Sequence, residues 1–163
     1  MERSKTGCCL LRSSHWRDDG VRSTDVVVDA RRPSARVRVP EWATIARVRL
    51  AGGCSVDGDP GDVVDGVMSV RAGTSLRVLL GDSGSDLCPD GGETAIIRDG
   101  IAVVSAAGAT TSRRRAASRP GPLWNVRVGR AELADGGSVE LEFIGPDGRA
   151  DEMRSIDDLS SSL

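Results

Sequence analysis

Tyrosine and glutamine are missing from this 163-residue chain, and phenylalanine, asparagine, lysine and histidine occur once each, as Phe143, Asn125, Lys5 and His15. With aromatic residues at 2%, the core has to be built from Val, Leu, Ile and Ala. Platforms on which bases or sugars stack are nearly absent. One histidine in a polar N-terminal stretch leaves no base beside a nucleophile, which excludes a hydrolytic triad. No charge sign dominates either: 22 basic residues stand against 24 acidic ones, for a net of −2. That balance excludes a broadly basic nucleic-acid binder. No stretch approaches the roughly 20 apolar residues of a membrane span, and the first residues lack the apolar run of a secretory signal.

The four cysteines, Cys8, Cys9, Cys54 and Cys88, have no Cys-x-x-Cys spacing that would suggest zinc. Cys54 and Cys88 fall in two loops that are able to approach each other. A disulfide between them and two free thiols are both open readings. Trp16, Trp42 and Trp124 are expected to cap the ends of the core.

What the chain does have is alternation. Ala35-Arg36-Val37-Arg38-Val39 places valines on one face and arginines on the other, and Pro40 ends that strand by removing a ladder donor. Ile45 to Leu50 repeats the pattern, with Arg47 and Arg49 outward. Further strand signals follow at Val67–Arg71, Leu76–Leu80, Ile96–Val104, Leu123–Val128 and Ser138–Ile144. Within Ile96–Val104, Asp99-Gly100 predicts a tight hairpin, because the turn needs positive φ at both central residues. Strands recurring about every ten residues, joined by Gly/Asp/Pro turns, predict an all-β antiparallel sandwich, jelly-roll-like, of about eight strands. Residues 1–24 read as an irregular N-terminal arm, 25–145 as the sandwich domain and 146–163 as a C-terminal tail. A Met153/Ile156/Leu159 stripe in the tail is able to form a turn or two of helix.

Two loops are strongly acidic. The first carries Asp57, Asp59, Asp62 and Asp65, the second Asp82, Asp86 and Asp90. Gly/Asp loops are where calcium sites occur, yet the ligand spacing and closing Glu of an EF-hand are lacking. Solvated loops that keep the chain soluble are the plainer reading. Arg113-Arg114-Arg115 and Arg119 make a basic loop after Ala107. No Gly-x-x-x-x-Gly-Lys loop exists, and the carboxylates lie mostly in exposed loops rather than in pairs. No enzymatic activity and no cofactor are expected.

Arg38–Gly53, Gly66–Gly81, Gly91–Ile96 and Val103–Gly108, closed by Asp135–Phe143, resemble the glycine-rich domain of bacteriophage tail and adhesin proteins. The resemblance spans roughly residues 35–145. It implies a structural protein of the virion, a minor tail protein or a capsid-attached decoration or fibre component. Its expected partners are other virion proteins, copies of itself in a trimer, or the host cell surface, without nucleic acid or membrane insertion. The alternative is a receptor-, glycan- or calcium-binding module that uses the acidic loops. Members of that family carry long poly-Gly loops, sometimes packed as polyproline-II helices. Here side chains occupy many of those places, so a polyglycine-II lattice is not expected.

Overall fold

The computed structural model describes residues 10–17, 21–29, 34–111, 117–132 and 136–146. The basic run Arg113–Arg115 and the tail stripe lie outside these residues. Among the described residues there is no helix, and so none long and apolar enough to cross a membrane.

Ten strands form two antiparallel sheets. They are β1 (Leu10–Arg17), β2 (Val21–Val28), β3 (Ser34–Arg38), β4 (Ile45–Ala51), β5 (Asp62–Ser69), β6 (Ser75–Leu79), β7 (Thr94–Arg98), β8 (Ile101–Ala106), β9 (Trp124–Arg130) and β10 (Ser138–Pro146). The larger sheet runs β1-β2-β10-β4-β5-β9 and the smaller β3-β6-β7-β8. The sheets face each other through β4 against β7 and β8, and β5 against β8. The antiparallel sandwich is therefore as expected. The strand count is ten rather than about eight, and the hairpins β4–β5 and β6–β7–β8 stay within one sheet. This order establishes the sandwich and not the jelly-roll winding.

Alternation sets which side chains meet between the sheets. Ala46, Val48 and Leu50 on β4 are buried, as are Val139, Leu141 and Phe143 on β10, while Arg47 and Arg49 point out. From the smaller sheet Val37, Leu76, Val78, Ile96 and Val104 complete the core. Phe143, fully buried, is the largest side chain in it. The arginine-studded outer face finds its counter-charges across strands. Arg47 lies opposite Glu142, with Nη1 3.4 Å from Oε2, and Arg49 lies between Glu140 and Asp65 in register.

The Asp99-Gly100 turn has φ of 53° and 78°, positive at both central residues, and Arg98 pairs with Ile101 across it. This is the predicted hairpin. Three expectations change. Residues 10–24 include β1 and the first half of β2, so the sheet begins upstream of Asp25. Trp42 packs against the core end as expected, beneath the Arg22 guanidinium at 4.6 Å, whereas Trp124 is 42% exposed. β5 begins at Asp62, so Asp62 and Asp65 belong to a strand and not to a loop. Gly66 hid that continuity. It sits inside the strand because the Leu123 side chain presses on the space a Cβ would fill, 3.0 Å away.

β9 is an edge strand whose residues are all exposed. Val128 lies opposite Val64 in register, yet Val64 is fully buried and Val128 is 55% exposed. The cover of the smaller sheet ends between them. Asn125, at φ 52°, coincides with a register shift, and Arg127 and Arg130 flank the valines. A bulge and charges on an edge discourage pairing with another chain's strand.

Burial predicts how substitutions rank. Phe143→Ala should lower stability by about 3–5 kcal/mol, whereas Val128→Ala should stay within about 0.5 kcal/mol of the parent. Urea denaturation followed by circular dichroism measures both; equal effects would contradict the assigned core.

Candidate functional site

The described residues 52–61, 80–93, 107–111, 131–132 and 136–137 adjoin the ends of β4, β6, β8 and β9 and the start of β10, at one end of the sandwich. Their glycines are spaced where two backbones meet. A Cβ on Gly52 would overlap the Ala107 carbonyl, on Gly53 that of Asp82, on Gly81 that of Gly92, on Gly91 that of Gly53, and on Gly108 that of Gly91. None of these five has the positive φ that would itself call for glycine. They are required by the approach, not by the turn.

Hydrogen bonds radiate from this contact in several directions. Gly52 N donates to the Asp62 carbonyl at 2.9 Å, and Gly53 N to that of Gly92 at 2.9 Å. The Gly53 carbonyl accepts from Ala109 N at 2.9 Å, and the Cys54 carbonyl from Gly84 N at 2.7 Å. Gly92 N donates to Asp82 and Gly91 N to Ala109, at 2.8 and 2.7 Å. Successive residues thus bond to different neighbours, whereas a strand bonds along one ladder. Main-chain bonds join different connections at this end. Glycines stand at the closest approaches, the small side chains of Cys54, Ser55, Ala107 and Ala109 are buried among them, and Val56, Asp57, Asp59, Ser83 and Asp86 face out. Thr94 closes the base: its hydroxyl accepts from Gly81 N at 2.9 Å, fully buried.

The seven acidic residues separate into three groups. Asp57, Asp59, Asp82 and Asp86 stand exposed on the loop surface. Asp90 braces the loops, accepting from Thr111 N and Oγ1 through one oxygen at 2.7 and 2.9 Å. Asp62 accepts from the Ser118 hydroxyl at 2.9 Å, and Asp65 lies between Arg49 and Arg127 on the outer sheet face. Among the described residues no three His, Cys, Asp or Glu side chains converge as metal ligands. Cys54 is buried and Cys88 exposed, and both are free thiols. Arg119 is drawn to β8, exchanging both backbone hydrogen bonds with Ser105.

A second concavity, of about 420 Å³, lies on the outer face of the larger sheet, lined by Asp25, Arg47, Arg49, Asp65, Glu140 and Glu142. Four carboxylates face two guanidinium groups there, with Asp25 directly opposite Glu142, so the lining is acidic on balance. It holds no nucleophile beside a base.

Sequence reasoning missed the tip of the second loop. Ser85 N donates to the Cys88 carbonyl at 2.7 Å and Cys88 N to Ser85 Oγ at 3.2 Å, a closed turn with Asp86 and Leu87 at its apex. Val56 N fixes its far side on the Pro89 carbonyl at 2.8 Å. Leu87 is 94% exposed. One leucine among aspartates carries no periodicity, so the available signal was its isolation in an otherwise polar loop. No protein-family model matches this chain, and no curated protein matches it.

Close backbone contact predicts that Gly91→Ala should cost about 2–3 kcal/mol, the scale of overpacking. Ser83→Ala, on the exposed side of the same loop, should cost less than about 0.5 kcal/mol. Thermal melts of the two variants give the comparison.

Proposed function

We propose that this chain is a non-enzymatic structural protein of a bacteriophage virion, a minor tail protein or a capsid-attached decoration or fibre component, acting through protein-protein contacts. The observation that carries the reading is the glycine-crossed loop bundle seated on a β-sandwich. Gly52, Gly53, Gly81, Gly91, Gly92 and Gly108 all fall in the segments that resemble the glycine-rich domain of phage tail and adhesin proteins. A bundle locked by backbone bonds gives a rigid end, and rigidity lowers the entropy lost when a surface docks. Partners on this reading are other virion proteins, further copies of the chain and the host surface.

A second reading is a receptor- or glycan-recognition module. It is favoured by the exposed Asp57, Asp59, Asp82 and Asp86 around a projecting Leu87. The calcium version of it draws no support from the carboxylate positions, which do not converge.

Mass spectrometry of gradient-purified particles from cells carrying the gene tests the first reading: the chain should be present at a fixed stoichiometry. Its absence from purified particles would overturn the virion role. A glycan array probed with the full chain tests the second, for which saturable binding lost in Leu87→Ser is the expected result.

A further inference from the structure

The smaller sheet presents a row of side chains across all four of its strands. Arg36 lies opposite Arg77, Arg77 opposite Ile97 and Ile97 opposite Ala102. Arg36, Arg77 and Ala102 are exposed and Ile97 is half-buried. Like charges directly opposite on neighbouring strands destabilise a sheet. The ion pairs among the described residues join Arg38 to Glu41 and Arg47 to Glu142, and neither involves Arg36 or Arg77. An anion laid over the row would relieve that repulsion, and an apolar group beside it would cover Ile97.

The Asp86–Leu87 tip has the matching order of groups. Consecutive Cα atoms are about 3.8 Å apart, and Arg77 and Ile97 are separated by one strand spacing, about 4.8 Å. An acid followed by a leucine therefore spans a base followed by an isoleucine. The tip is already held by its own turn and by the bonds of Gly84 and Pro89 to the first loop. An apolar centre ringed by charge, on a preorganised loop, is the anatomy of a docking hot spot.

We propose that the Asp86–Leu87 tip of one copy docks on the Arg36–Arg77–Ile97 row of a second copy of this chain. The tip lies at the loop end and the row on a sheet face, so the two partners use different surfaces. Such a heterologous contact leaves each dimer with one unused tip and one unused row. It grows into a ring or a filament depending on the rotation between copies. The contact rests on surface chemistry and not on the virion reading, so either can fail without the other.

Sedimentation velocity of the full chain over a concentration series provides the test. At low salt the weight-average mass should rise to at least about twice that of the monomer. It should fall back near 1 M salt, where screening shortens to about 3 Å. Arg77→Glu and Asp86→Arg, both at exposed positions, should each abolish association while staying folded, Arg77→Glu melting no lower than the parent because it faces Arg36, with Arg36→Glu as a second face variant. An equal mixture of Arg77→Glu and Asp86→Arg should restore it, because the parent tip of the first variant meets the parent row of the second and the reversed tip meets the reversed row. A chain that stays monomeric at low salt, an association that survives both reversals, or a mixture that stays monomeric would each overturn the proposal.

Discussion

The loop end is held by peptide groups touching one another with no side chain between them. At Gly52, Gly53, Gly81, Gly91 and Gly108 the space for a Cβ is already taken by a neighbouring carbonyl. Everything else at that end follows from this spacing. The described loop residues satisfy many of their donors and acceptors on each other and on strand ends such as Asp62, which is why loops with little regular structure bury Gly52, Gly53, Cys54, Ser55 and Gly61. The registers of β4, β5, β7 and β10 in turn fix where those backbones arrive.

Outside the bundle, one rule accounts for most of the surface. Each strand gives one face to an aliphatic core and the other to charge, and antiparallel register decides which charges become neighbours. On the larger sheet that arrangement sets Arg47 beside Glu142 and Arg49 between Glu140 and Asp65, with Asp25 opposite Glu142. On the smaller sheet it sets Arg36 against Arg77 with no carboxylate between them. The two outer faces are thus electrically different although their strands look alike in sequence. One carries more carboxylates than arginines at its centre, and the other presents arginines to an anionic neighbour.

That difference also marks how far the sequence was legible. Valine and arginine alternation, the Asp99-Gly100 turn and the break at Pro40 are local signals, and they located the strands of the smaller sheet and most of those of the larger. β1 was not legible because Leu10-Leu11-Arg12-Ser13-Ser14-His15 carries no alternation; its register with β2 itself shifts between Arg12 and His15. Asp65 was misplaced because an internal Gly66 imitates a loop. The glycine crossings escaped for a different reason: Gly53 meets Gly91 across almost forty residues of chain, and no local pattern records such an encounter. The glycine content of the loops does not say which glycines stand at such contacts.

The separation of frame from decoration has an evolutionary consequence. Because the loops are joined through main-chain atoms, the frame does not depend on the identity of the side chains that face away from it. Residues such as Asp57, Ser83, Asp86 and Leu87 are exchangeable without moving the backbone beneath them. Selection can therefore rewrite the chemistry of this end one outward position at a time, holding a handful of glycines constant while the partner changes. A lineage built this way would diverge rapidly in sequence and slowly in shape.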